Sequence, residues 1–189
     1  MSGRAAARAT AVECTLLFFA FAVAAYALRA WVFEVRFIPS VSMRPALEVG
    51  DRLLVEKMTP VWRTPLRGTV VVFFPPGSGS TQRAALVKRV IALPGERITV
   101  RGGQVWIGGK RLPEAYLSPL RATQIRRNTV EPDIECVVPG GSIYVMGDNR
   151  PDSTDSRHFG PVAMRDVIGR AVLGFWPLER WRWLLPRRR

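Results

Sequence analysis

Residues 85–93 read Ala-Leu-Val-Lys-Arg-Val-Ile-Ala-Leu and are stopped by Pro94-Gly95. The run is apolar on both sides of two cations and is predicted to be a strand. Successive side chains of a strand point to opposite faces. Leu86, Lys88 and Val90 therefore share one face, and Val87, Arg89 and Ile91 the other. Two cations inside such a strand need a reason. One is an edge strand charged against aggregation. The other is chemistry: apolar surroundings disfavour the charged form of a lysine and make it a proton acceptor. Moving a lysine from about 10.4 in water to about 7.5 takes roughly 4 kcal/mol, at about 1.36 kcal/mol per pH unit.

Outward from this strand the chain is punctuated the same way. Gly50-Asp51 reads as a turn before a short strand at Leu53–Val55. Thr69–Phe74 is a β-rich run ended by Pro75-Pro76. Ile98–Leu112 is divided by Gly102-Gly103 and Gly108-Gly109 into three short strands, a meander. Pro113–Pro139 is polar and is expected to wander irregularly over the surface. Ser142–Met146 and Asp166–Trp176 are the last strands. The pattern predicts one mainly β domain, with no nucleotide-binding glycine motif and no internal repeat.

Ahead of it lies a different segment. Thr15–Leu28 carries no charge, and beyond Arg29 the apolar run resumes as Ala30-Trp31-Val32-Phe33. A membrane span needs about 20 mainly apolar residues. Cys14–Phe33 meets that length if Arg29 snorkels to an interface beside Trp31. Arg4 and Arg8 then place the N-terminus in the cytoplasm and the β domain outside. A cleaved signal peptide, with Ala25-Tyr26-Ala27 as a processing site, competes with this reading. A buried core helix is the third reading.

The chain has 189 residues, a net charge of +13, one histidine and two cysteines. The excess of cations favours an anionic neighbour, either nucleic acid or lipid headgroups. Apart from Arg187-Arg188-Arg189 the basic residues are scattered, without zinc-finger spacing or a basic helix, so membrane lipid is the expected partner and nucleic acid is not. Cys14 and Cys136 lie far apart, and no metal-ligand spacing occurs, so neither a metal nor another cofactor is expected.

Residues 38–47 read Ile-Pro-Ser-Val-Ser-Met-Arg-Pro-Ala-Leu. Two serines between two prolines can simply cap a turn. Alternatively, Ser42 is a nucleophile, and it then needs a base, because a serine hydroxyl at its free pKa barely attacks. His158, beside Asp155, would complete a Ser42–His158–Asp155 triad. Lys88, flanked on its face by Leu86 and Val90, is the other base, with Ser153 orienting it by accepting a hydrogen bond. Asp148 and Asp155 are natural acceptors for Arg89 and Arg157, in an ion-pair network shaping the loop 147–157. The bland alternative is that this loop is a solvated polar turn.

Four stretches, in order, resemble the type I signal peptidases, membrane-anchored Ser/Lys proteases that cleave export signals. They are Pro39–Pro45; Gly50-Asp51 with Leu54-Val55; Arg67-Gly68 through Phe73 with Val87–Ile91 and Leu93-Pro94-Gly95; and Gly147–Arg150 with Asp155-Ser156-Arg157. The resemblance implies Ser42 as nucleophile and Lys88 as general base. It implies an oxyanion hole from the Ser40 hydroxyl and the Ser42 amide, and Ser153 as the residue orienting the lysine. Arg89, Asp148, Asp155 and Arg157 become the structural charge network. The family's preference for small residues at the −1 and −3 positions of the substrate implies shallow apolar pockets, lined by stretches matching Ile38, Pro39, Met43, Leu47, Leu86 and Val87. Val41 stands where the family usually has glycine, Leu86 where it often has an aromatic, and Arg44 and Pro151 occupy variable positions.

The fold implied is mainly β, a single transmembrane helix followed by a compact antiparallel β catalytic domain. The expected division is a cytoplasmic basic segment (1–10), an anchor (11–33), a Ser/Lys peptidase domain (34–177) and a Trp/Arg tail (178–189). The expected partners are exported preproteins and membrane lipid. The expected location is the plasma membrane or an internal energy-transducing membrane, with the catalytic domain on the outer or lumenal side. Two other readings stay open: a different membrane-linked Ser/Lys processing protease, and a non-enzymatic membrane-anchored β module that binds peptides.

Overall fold

The computed structural model describes residues 2–27, 31–77, 84–117 and 133–186. Arg29 and the terminal Arg187-Arg188-Arg189 lie outside them. Beyond an N-terminal helix, the regular structure of the described chain is mainly antiparallel strand. β1 (Phe33–Phe37), β2 (Arg52–Glu56), β3 (Val70–Phe73) and β4 (Leu86–Ala92) are followed by β5 (Arg97–Arg101), β6 (Gln104–Ile107), β7 (Lys110–Arg111) and β8 (Ile134–Val137). β9 (Ser142–Met146), β10 (Val162–Ala163), β11 (Val167–Trp176) and β12 (Arg182–Trp183) complete the set. Eight strands form the main sheet in the order β1-β2-β11-β3-β4-β9-β10, with β12 added beside β11. A smaller sheet, β7-β6-β5-β8, is an excursion between β4 and β9.

Both glycine pairs of the meander have positive φ, from 52° to 80°. They close two-residue hairpins between β5 and β6 and between β6 and β7, turns that only residues tolerating left-handed backbone make without strain. β8 falls in the stretch expected to be irregular. Its Ile134 and Cys136 pack against the core, while Glu135 between them reaches Arg97 on β5. That is an ordinary amphipathic strand, too short to stand out among polar neighbours.

β4 lies inside the sheet from Arg89 onward and has one neighbouring strand over Leu86–Lys88. β3 pairs with β4 from Leu86 to Arg89, and β9 pairs with it from Arg89 to Ala92. Lys88 and Arg89 are both buried, so the aggregation-guard explanation, which needs exposed charges, fails. The core falls into three clusters around this strand. Val87 packs against one that contains Ile38, Met43, Leu47, Leu53, Val55, Val70 and Val72. Leu86 and Val90 belong with Val71, Phe73 and Val145. Ile91 joins Ile98, Val105, Tyr144 and Met146 below the smaller sheet.

At the N-terminus a helix runs from Ser2 to Ala27, and Leu16, Leu17, Phe18, Phe19 and Phe21 project from it into solvent. Among the described residues no helix is long and apolar enough to cross a membrane. Phe33, at the end of the apolar segment in the sequence, is the first residue of β1 and pairs with Glu56.

Candidate active site

Three segments meet at one end of β4. The first is the loop from Ile38 to Asp51. Its base is pinched shut by Ile38 N–H donating to Asp51 O (2.9 Å) and Gly50 N–H to Ile38 O (2.9 Å). Its underside is apolar: Ile38, Met43 and Leu47 are buried in the core, so the loop cannot lift without exposing them. Ser42 sits on this floor and is itself 7% exposed. Val41 requires no left-handed backbone, since among the described residues only glycines have positive φ. Its carbonyl accepts from the Arg44 amide and the Asn149 side chain, and valine fills the position without strain.

The second segment is β4. Lys88, 3% exposed, extends to Ser42 and places Nζ 2.7 Å from Oγ. Burial is the largest influence on its pKa and lowers it. The Asp155 carboxylate opposes that, Arg157 reinforces it, and Asp148 opposes it more weakly; the balance brings the lysine from 10.5 to about 8. A sizeable minority of such lysines are neutral near physiological pH and can accept a proton. On the other side of Ser42, the Ser40 hydroxyl lies 3.1 Å from Oγ and is open to solvent. Chemically this is a hydroxyl beside a base and beside a hydrogen-bond donor, the arrangement that acyl transfer needs.

The third segment, Gly147–Phe159, holds the other two together. Asn149 N–H donates to Ser42 O at 3.0 Å. The Arg89 guanidinium grips Asp148 with Nε and Nη2 at 2.8 and 2.5 Å, and Nη1 donates to Gly68 O. Burial works against the charge on Arg89, yet the paired Asp148 raises its pKa. Arg157 makes the second grip, on Asp155, at 2.9 and 3.0 Å. Burial would raise the Asp155 pKa, but Arg157, the Gly147 amide and the Ser153 hydroxyl hold it below the usual range. Asp155 also caps the helix Ser156–Phe159. His158 completes that cap, accepting from Asp155 N–H through Nδ1 at 3.4 Å, a structural task.

Ser153 is placed differently from the expectation. Its hydroxyl donates to Asp155 Oδ2 at 2.8 Å and makes no hydrogen bond to Lys88. The residues expected to line the substrate pockets divide into two groups. Ile38, Met43 and Leu47 are core, while Pro39 is exposed and Leu86 and Val87 are half-buried.

Gly147 was quoted in the sequence only as part of a motif, and its task is spatial. A Cβ there would lie 2.2 Å from Ser153 Oγ and 2.6 Å from Ser42 O. Arg150, from the same motif, belongs to a buried group whose other members, Glu114 and Tyr116, carry no such signal. Arg150, 2% exposed, donates to Gly147 O (3.2 Å) and forms an ion pair with Glu114. Tyr116, next to that pair, stacks under Arg89 with the guanidinium 4.3 Å from the ring centre. Burial, and then the Glu114 charge, push the Tyr116 phenol well above its ordinary pKa, so it stays neutral. Glu114 and Tyr116 come from the polar stretch after β7, where nothing in the local sequence distinguishes them. Glu114→Gln leaves Arg150 buried with its charge uncompensated. A loss of roughly 3 kcal/mol in urea unfolding is expected, and a loss below about 1 kcal/mol would show that the pair is not needed.

Residues 11–176 match the family described as signal peptidase, peptidase S26. Among similar proteins is a signal peptidase I from Leptolyngbya laminosa, 43% identical over 166 residues, covering 84% of this chain and 76% of that protein. A probable signal peptidase I-1 from Synechocystis sp. is 42% identical over 163 residues, covering 84% and 79%. A signal peptidase I from Bacillus caldolyticus is 35% identical over 159 residues, covering 81% and 85%.

Proposed function

Since the chain belongs to the signal peptidase, peptidase S26, family, we propose that it removes N-terminal signal peptides from exported preproteins, with Ser42 as nucleophile and Lys88 as general base. The observation that carries this reading is the 2.7 Å contact between Lys88 Nζ and Ser42 Oγ, in a buried site that brings the lysine to about 8. Neutral Lys88 takes the proton as Ser42 Oγ attacks the scissile carbonyl. The Ser40 hydroxyl and the Ser42 amide stabilise the oxyanion, each contributing on the order of 10²–10³ in rate. Lys88 passes its proton to the leaving amine, an acyl-enzyme remains, and Lys88 then activates the water that releases it. Asp155 with Arg157, and Asp148 with Arg89, hold the loop, and Ser153 acts on Lys88 through Asp155.

The preprotein enters extended. β9 covers β4 only from Arg89 onward, so Leu86–Lys88 has no second neighbouring strand among the described residues. A peptide can add itself there, main chain to main chain. It then lies over Pro39, Leu86 and Val87, with Ile38, Met43 and Leu47 as the floor beneath, a surface that suits small side chains.

The N-terminal segment holds this domain at the plasma membrane or an internal energy-transducing membrane. The uncharged run Thr15–Leu28 and the outward-facing Leu16–Phe19 support that reading. The basic start lies in the cytoplasm and the β domain on the outer or lumenal side. Because Phe33 belongs to β1, the span ends before it. The exposed Trp181 and Trp183 suit the headgroup region.

The test is incubation with a preprotein bearing Ala-x-Ala at its processing site. Wild type is expected to cut after the second alanine, and Ser42→Ala to leave the preprotein whole. Equal cleavage by both would remove Ser42 from the chemistry. Peptide binding without cleavage by either would identify a binding module. Wild-type protein extracted from membranes is expected to begin near Met1; a start after Ala25 or Ala27 would discard the retained anchor.

A further inference from the structure

The family match stops at residue 176, but the described chain continues to Pro186 and turns back onto the site. After a 3-10 turn at Leu178–Arg180, β12 pairs with β11, Trp183 opposite Leu173 and Arg182 opposite Gly174. Two of its arginines converge on one carboxylate. Arg180 Nε donates to Asp51 Oδ1 at 2.9 Å, and Arg182 Nη2 to Asp51 Oδ2 at 2.6 Å. The Asp51 side chain is only 2% exposed. Asp51 is also the residue that closes the nucleophile loop. Its carbonyl takes the Ile38 amide, and its carboxylate takes the Glu48 amide at 3.0 Å. Beyond the arginines, Leu184 is buried in the same core cluster as Ile38, Met43 and Leu47, the apolar underside of the loop. At the far end Pro186 reaches Gly68, whose carbonyl holds Arg89; a Cβ at Gly68 would meet Pro186 at 3.8 Å.

We propose that this C-terminal hook is a positioning element for Ser42: Arg180 and Arg182 clamp the base of the 38–51 loop through Asp51, and Leu184 supports its floor. The proposal rests on Ser42 being the nucleophile. It gives the tail a task inside the enzyme in addition to any contact with lipid. Trp181 and Trp183 point outward from the same hook, so one face serves the loop and the other the surroundings. A loop held at its base only by the Ile38 amide and the turn at Gly50 would let Ser42 shift against Lys88, and a displacement of about 1 Å is enough to reduce turnover on the order of 10²-fold.

The experiment uses the full chain in detergent, with the preprotein as substrate. Arg180→Gln/Arg182→Gln is expected to lower kcat on the order of 10- to 100-fold with KM changed less than about threefold. Thermal unfolding, read in parallel, is expected to find the variant folded at the assay temperature. Arg180→Lys/Arg182→Lys keeps a cation on Asp51 and is expected to recover most of the rate. An unchanged kcat, or a loss that only tracks the unfolded fraction, overturns the proposal. So does a loss seen with lipid vesicles but absent in detergent, which would make the hook a membrane contact alone. If the double variant does not fold, the single Arg180→Gln, at a more exposed residue, is read the same way. Wild type and Ser42→Ala run alongside: if cleavage does not depend on Ser42, the underlying reading fails, whatever the hook does.

Discussion

Lys88→Met is expected to abolish cleavage at every pH and, at neutral pH, to make the protein more stable. The loss of activity follows from position. Lys88 Nζ is the only basic nitrogen hydrogen-bonded to Ser42 Oγ among the described residues, and general-base catalysis is worth on the order of 10²–10⁴-fold. His158→Ala, by contrast, removes part of a helix cap and should leave most of the activity. In wild type the acid limb of kcat/KM should rise about tenfold per pH unit and level off near the lysine pKa of about 8. Loss of most of the activity in His158→Ala would instead favour the histidine.

The gain in stability follows from linkage. Unfolded Lys88 releases its proton near 10.5 and folded Lys88 near 8. Below pH 8 both states are protonated, and the folded state carries the full penalty of a buried cation. Between 8 and 10.5 the folded state binds fewer protons than the unfolded state, so stability rises with pH until the penalty is gone. At about 1.36 kcal/mol per pH unit the penalty at neutral pH is roughly 3 kcal/mol. Methionine fills a similar volume without charge but loses the Ser42 hydrogen bond. A net gain of about 2 kcal/mol in urea unfolding at pH 7 is therefore expected, shrinking as the pH approaches 10.5. No gain at pH 7 would mean that the lysine is charged in the folded state at little expense.

Gly147→Ala should be nearly as damaging to activity, for a steric reason. Gly147 is not among the glycines with positive φ, so its backbone would accept any residue. The space would not. The new methyl would sit 2.2 Å from Ser153 Oγ, 2.7 Å from Ser153 Cβ and 2.6 Å from Ser42 O. The hydroxyl could rotate away, but the Ser42 carbonyl is held by Asn149 and could move only with the nucleophile. A fall in kcat/KM on the order of 10²-fold is expected. Overpacking should also lower stability by about 1–3 kcal/mol. Adding Ser153→Gly should recover little of the rate, because the contact with Ser42 O remains. Gly147→Ala with near-normal turnover would mean that this approach is slack.

The buried pair Lys88–Arg89 illustrates how much could be read from the chain. Period two in residues 85–93 separates the faces, and in the structure Leu86 and Val90 lie in one cluster while Val87 lies in another. The long apolar strands and the glycine-pair hairpins were legible for the same reason, since each is dictated within a window of a few residues. β8, β10 and β12 were not. They are two to four residues long, and partner strands decide that they are strands at all. Glu114, Arg150 and the Asp51 clamp were equally hidden, because a surface-looking charge becomes a buried one only when a distant segment covers it.

By itself the sequence determined the mainly β character, the apolar N-terminal run, the ordered motifs that place the chain in its family, and the residue types available for acyl transfer. Those properties depend on composition, period and order, which are local. Only the tertiary structure decided that Lys88 meets Ser42, that Ser153 turns to Asp155, and that residues 178–186 return to the nucleophile loop. The first and the last of these join segments far apart in the chain, and which of them meet depends on how the sheet is ordered; Ser153 and Asp155 are two residues apart, and what turns one to the other is the buried carboxylate that Arg157 grips.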